Sequence, residues 1–295
     1  MAKSNMSDFS PSAELVCILR AKSYNEKREG YKTDDYISLL ISHSLTSFIS
    51  MTQKSFLMQD NILSPQIPVG SYEFLISRIK CIDEFFQQHA GNFAKIFILG
   101  AGFDSRAIRF QNLLQQSLIY ELDHPASQKN KIAKLQELSI SSPANLQYIP
   151  IDFNQGNLAN TLQGLPIKKG EKYLFLLEGL IMYLPPSTVE HIFSAISNYA
   201  PTGSEIIFDY VYSHVLSGEN TSYDSIEIVE VLKNIGEHWL SGIEKKQLNT
   251  FLNTYHLTLL HDVDAHALEQ RFFTNQQGKV LVKLNSALAI AHAIK

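Results

Sequence analysis

The chain has 295 residues, of which 45% are hydrophobic and 18% charged, and its formal net charge is −4. That is an ordinary globular composition with length for a full core; it excludes a disordered chain, and the acidic balance argues against a general nucleic-acid binder. The two cysteines, Cys17 and Cys81, form no disulfide framework or zinc motif, and no stretch approaches the roughly 18–20 apolar residues that span a bilayer.

The opening MAKSNMSDFSPSAELV lacks an uninterrupted apolar segment, so it is not read as a secretory signal, and a cytoplasmic location without a membrane partner is expected. Residues 1–11 are small and polar and are expected to be loosely ordered. Residues 12–90 read as a helical extension. DDYISLLISHSLTSFISM, from Asp34, and YEFLISRIKCIDEFFQQHA, from Tyr72, both have helical apolar spacing, with the Pro-rich NILSPQIPVG between them.

From residue 91 to 295 the pattern is that of one α/β domain. Short apolar runs (AKIFILG, SLIYELD, LQYIPID, YLFLLEG and SEIIFDYV) alternate with helical segments such as PPSTVEHIFSAISNYA, whose prolines mark its start. Continuous apolar strands separated by helices imply a largely parallel sheet covered on both faces, a Rossmann-like α/β fold. Farther on, IEKKQLNTFLNTY reads as a helix, LTLLHDV as a strand and KVLVKL as an edge strand.

Ligands of such sheets bind beyond the carboxyl ends of the strands. The first strand is followed by Gly100, Ala101, Gly102 and Asp104, and the second ends in Glu121 and Asp123. Asp152 closes the third, Glu178 the fourth, and Asp209 lies in the fifth. A cup of carboxylates repels a phosphate ligand, and no GxxxxGK is present to compensate. It suits a cationic, donor-rich cofactor such as S-adenosyl-L-methionine. On this reading the glycines admit the methionine part, Asp123 accepts the ribose hydroxyls, Asp152 and Phe153 meet the adenine, and Glu178 meets the ammonium. A GxG turn is weak by itself and Asp104 also reads as a helix cap, whereas a lone acid inside FLLEGLIMYL needs a partner.

GAGFDSRAIRF resembles the GAGLDTRAxRL motif of the leucine carboxyl methyltransferase-like family of class I S-adenosylmethionine-dependent O-methyltransferases. YELDHP, LLEGLIMYLPPSTVEHIF, GEHWLSGI, EQRFF and ALAIAHA are similar to further elements of its bacterial branch. The resemblance runs from about Lys22 to the C-terminus. It implies a seven-stranded sheet with a helical lid, and a basic pair holding the cofactor carboxylate. AKSYNEKREGYKTDDY matches at Lys22, with Lys27 and Arg28 as alternatives, and ISRIKCID matches at Arg78. It also implies that Tyr183 positions the acceptor; Tyr210 and His214, placed by the fifth strand, are further candidates, though each reads first as a packing or surface residue. Ser105, Asp35 and His238 depart from the family pattern, the last on the expected substrate side.

A carboxylate acceptor, on a small molecule or a protein C-terminus, is already ionised at neutral pH and needs alignment rather than a base. Two other readings stand beside this one: an NAD(P)-dependent oxidoreductase on the same sheet, which would want a third glycine at Ser105, and a non-catalytic interaction protein. HDVDAH, from His261 to His266, straddles a strand end and reads as structural, and no metal is expected.

Overall fold

A computed structural model describes residues 11–45, 68–217, 223–234 and 236–295. The expected loose N-terminus and the stretch from residue 46 to 67, with most of the Pro-rich connection, lie outside the described residues. Three helices come first: α1 (Pro11–Tyr24), α2 (Tyr36–Ser44) and α3 (Ser71–His89). Asp35 starts α2 by accepting from the Ser38 amide at 3.0 Å. The 19 residues of α3 bury a face that includes Arg78 and Asp83 beside its apolar positions.

The alternation that follows is β1 (Lys95–Leu99), α4 (Arg106–Arg109), β2 (Leu118–Asp123), α5 (Pro125–Glu137), β3 (Leu146–Pro150), α6 (Leu158–Gln163), β4 (Tyr173–Leu177), α7 (Pro186–Tyr199) and β5 (Glu205–Val211). Proline opens α5 and α7, where its missing N–H costs nothing. Short helices α8 (Ser213–Ser217), α9 (Tyr223–Asn234) and α10 (Leu248–Thr254) then lead to β6 (Thr258–Asp264), α11 (Ala265–Phe272) and β7 (Leu288–Ile294).

The seven strands run β3-β2-β1-β4-β5-β7-β6, parallel except for β7, which is antiparallel to both of its neighbours. Strand order reverses between β1 and β4, where the register sets Leu99 opposite Leu177. Gly100 and Glu178, the next residue of each strand, therefore leave the sheet side by side. A crevice at this switch point is where such sheets hold ligands.

The seventh strand corrects the sequence reading. KVLVKL makes only a single bridge, Thr274 to Val280, and Leu281 is 61% exposed. The strand is LAIAHAI instead, with Ala289, Ala291 and Ala293 fully buried opposite Tyr210, Phe208 and Ile206. Small residues fit beside the bulky face of β5, but alanine favours helices and hides the strand signal. Among the described residues no helix is long and apolar enough to cross a membrane.

Candidate functional site

A cavity of about 330 Å³ opens at the switch point. Gly100, Ala101, Gly102, Asp104, Asp123, Glu178, Arg78 and Tyr183 all line it, so most of the predicted site residues converge. Gly100 and Gly102 hold φ of +66° and +45°, which a side chain resists. A Cβ on Gly100 would lie 2.8 Å from Leu180 Cδ1, and one on Gly102 would lie 3.5 Å from the Ala13 side chain. Helix α1 therefore packs directly over the glycine turn. The Asp123 carboxylate braces that turn, accepting from the amides of Gly102 at 2.6 Å and His124 at 2.7 Å. Burial pushes its acidity down, raising its pKa from the usual value, while these two amides pull it back.

Beneath the turn lies a buried ion network. Glu178 Oε1 accepts from Arg20 at 2.9 Å and Arg78 at 3.0 Å, and Oε2 accepts from Arg106 at 2.6 Å. Arg78 reaches on to Asp209 at 2.5 Å, and Arg106 pairs with Asp104 and with Asp83 at 2.7 Å. Arg109 joins Asp83 at 2.7 Å, and Ser105 donates to Asp35 at 2.7 Å. Burial alone would raise the Glu178 pKa, but the three guanidiniums together hold it well below the usual carboxylate range.

This network revises the electrostatic reading. Three of the strand-end acids, Asp104, Glu178 and Asp209, already have arginine partners, so the cup is not a ring of unopposed charge. Glu178 presents its oxygens to arginines rather than to an ammonium. The case against a dinucleotide rests instead on the turn itself. The Arg106 amide at the start of α4, one of the donors a helix N-terminus offers to a phosphate, is taken by Asp104 Oδ1 at 2.7 Å.

Several predicted residues lie elsewhere. Lys22 is buried against the Tyr72 ring, 6.0 Å from its centroid, and is not part of the cavity wall. Lys27 is exposed, while Arg28 pairs with Glu26 at 2.5 Å over the Tyr31 ring. The basic residue that α1 brings to the cavity is Arg20. Two positions apart on a helix means about 200° of rotation, so Arg20 and Lys22 face opposite ways. Asp152 caps a single 3-10 turn, accepting from the Asn154 amide at 3.0 Å, and Phe153 is packed into the core; neither lines the cavity. Tyr210 points to the far side of the sheet, donating to Asp262 at 2.9 Å. His214 meets Glu244 at 2.9 Å, also away from the cavity. In HDVDAH, Asp262 accepts from Tyr210 and Asp264 caps α11 through the Ala267 amide at 2.9 Å.

The wall opposite the sheet comes from α1 and α9, the second of which the sequence reading left unassigned. His238 is exposed, and its neighbour Trp239 is the residue that reaches the cavity. The Ser12 amide donates to Glu237 at 2.9 Å, tying the start of α1 to this loop. Two buried polar atoms of lining residues, Arg20 Nε and Ser71 Oγ, have no hydrogen-bond partner among the described residues, while the Trp239 indole stands against the Tyr183 hydroxyl.

The fold is that of class I methyltransferases. A Thermobifida fusca structure, provisionally described as a methyltransferase, aligns over 95% of this chain and 94% of its own with a TM-score of 0.59 at 13% identity. A DUF574 family protein from Streptomyces avermitilis aligns over 94% of this chain and 96% of its own, with a TM-score of 0.54 at 10% identity. Among sequence relatives, the Bacillus subtilis protein YktD, whose name as an S-adenosyl-L-methionine-dependent methyltransferase is itself provisional, is 26% identical over 67% of this chain and 64% of its own length. A Mycolicibacterium paratuberculosis protein of the same provisional name is 30% identical over 70% of this chain and 67% of its own. The chain thus spans just under two thirds of the length of YktD. The family model described as leucine carboxyl methyltransferase matches residues 13–197, taking in all but the first two residues of α1, the glycine turn, Asp123, Glu178 and all but the last two residues of α7. With its motifs and its fold in agreement, the chain belongs to the leucine carboxyl methyltransferase family.

Proposed function

We propose that the protein is an S-adenosyl-L-methionine-dependent O-methyltransferase whose acceptor is a carboxylate or another oxygen. The observation that carries this reading is the braced glycine turn: Gly102 held by Asp123, in a cavity with the Arg20 and Arg78 guanidiniums. The residues fit the cofactor. The Arg20 Nε, without a partner among the described residues, suits its carboxylate, the glycines leave room for close backbone approach, and the remaining lone pairs of Asp123 suit ribose hydroxyls. Glu178 serves as the anchor that keeps Arg20 and Arg78 aimed. S-adenosyl-L-methionine supplies, when bound, a methyl group activated on a sulfonium.

The chain's own task is then to align the acceptor and exclude water. A carboxylate acceptor asks for no base, and positioning can supply roughly 7–11 kcal/mol of the barrier. Tyr183, half-buried in the wall with its pKa pushed up to about 12 by desolvation first and the Glu237 charge second, keeps its proton at neutral pH. Family membership and the relatives' provisional assignment as methyltransferases support the same reaction class.

Isothermal titration with S-adenosylmethionine, S-adenosylhomocysteine, NAD and NADP tests the reading. Saturable binding of the two sulfur compounds alone is the expected result. Binding of a nicotinamide nucleotide in their place would overturn it.

A further inference from the structure

Helix α5 buries Gln128, Lys131 and Leu135, and a lysine in such a stripe is an anomaly. Lys131 is 2% exposed, and its two partners, Glu121 and Asp104, are buried with it. Its Nζ donates to Glu121 Oε2 at 2.5 Å and to the main-chain carbonyl of Asp104 at 2.6 Å. The backbone ladder of α4 starts one residue after that carbonyl, with the Ile108 and Arg109 amides donating to Ser105 O at 3.0 and 2.8 Å. Gln128, from the same stripe, donates to the Glu121 carbonyl at 3.1 Å.

A buried ion pair is seldom a gain over two apolar side chains of similar size, so a pair here asks for a further use. The glycine turn shows one. Asp123 takes the Gly102 amide and Lys131 takes the Asp104 carbonyl, so β2 and α5 together grip the turn at both ends. The Lys131 charge also reaches Asp123. Burial raises the Asp123 pKa, and after the amides of Gly102 and His124 the Lys131 ammonium is the next influence that draws it back. Burial pushes the Glu121 carboxyl up to about 7, so mild acid neutralises Glu121 and leaves the ammonium to Asp123. The other titratable groups facing this pair are Asp104, already held by Arg106, with Tyr148 from β3 and His124.

We propose that Lys131 is the positioning residue of the cofactor turn: its ammonium fixes the Asp104 carbonyl at one end and supports the charge of the Asp123 carboxylate at the other. This rests on the reading of the turn as the S-adenosylmethionine site. Lys131 is not part of the cavity wall, so it acts through these two residues rather than by touching the ligand.

The experiment measures S-adenosylhomocysteine binding to the full chain by calorimetry between about pH 5 and 8, beside urea midpoints. Lys131→Met should bind at least about tenfold more weakly near neutral pH, the scale of a lost bond from a charged group. Its affinity should also fall away at a higher pH than the parent's as acid is added. Lys129→Met, exposed on the same helix, should match the parent. Because an unmatched Glu121 destabilises the fold, Lys131→Met is also combined with Glu121→Met, which removes both charges and should return the urea midpoint toward the parent's. The double variant should still bind weakly. Recovery of affinity along with stability, or a single variant with the parent's affinity and pH profile, would make the pair structural and overturn the proposal while the cofactor reading stands. Failure of the parent to bind S-adenosylhomocysteine would overturn both.

Discussion

Arg20, on the first helix, donates to Glu178, just past the end of β4, across 2.9 Å, joining positions 158 apart in sequence. The contact makes α1 a wall of the sheet's ligand crevice rather than an appendage. It also places in the cavity wall a guanidinium whose Nε has no hydrogen-bond partner among the described residues.

Replacing Arg20 by Met should therefore weaken S-adenosylhomocysteine binding by about 1.5–3 kcal/mol, the scale of a hydrogen bond to a charged group. Lys22→Met, on the opposite side of the same helix, should leave the affinity within about 0.5 kcal/mol of the parent. Calorimetry on the two folded variants checks the pair, and the reverse ranking would restore Lys22 as the carboxylate ligand.

Asp123 has two duties, bracing the Gly102 amide and offering its free lone pairs to the cavity. Asp123→Ala should cost about 1–3 kcal/mol of cofactor affinity, since it leaves desolvated donors unmatched. Unchanged binding of S-adenosylhomocysteine by the folded variant would remove the ribose from this end of the cavity.

Glu178 is the common partner of three buried arginines, and Glu178→Gln leaves them short of a charge. Breaking one side of a buried ion cluster costs about 3–5 kcal/mol. Its pKa is depressed in the folded state, so its contribution is fully present above the unfolded value of about 4.3 and is lost as the pH falls through the folded one. Urea midpoints measured between about pH 3 and 7 should show a constant gap between parent and variant above about pH 5, narrowing only in acid. A gap that widened in acid would contradict the assignment.

Tyr210→Phe removes a hydroxyl that bonds Asp262 and Tyr212, away from the cavity. It should cost about 1 kcal/mol of stability and leave cofactor binding untouched. Denaturant unfolding beside calorimetry separates the two quantities, and loss of binding without loss of stability would return Tyr210 to the site.

The strands and their terminal acids were legible because buried parallel strands write themselves as continuous apolar runs, with polar residues where they end. The phase of α1 was not. From Cys17 to Ser23 every residue is buried, so no amphipathic stripe tells Arg20 from Lys22, and only packing against β4 does. Tyr210 misled for a related reason: β5 is covered on both faces, and period two cannot say which face meets the ligand. Asp152 carries the same residue type and strand-end position as Asp123. What separates them is that the Gly102 amide folds back onto Asp123, while Asp152 closes a turn of its own. The arginine network was half visible: the lone acid in FLLEGLIMYL demanded a partner, but three partners spread over α1, α3 and α4 leave no local trace.

That network draws its charges from positions 20, 35, 78, 83, 104, 106, 109, 178 and 209, and so from nearly every layer of the molecule. None of these side chains gains from leaving water until its counterparts arrive, because an unmatched buried charge is among the costliest things a chain can hold. Half-assembled forms must keep their arginines solvated and the crevice open. The contacts are also far apart in sequence, which slows their closure. The charges that shape the ligand crevice thus penalise every state in which only part of it has formed.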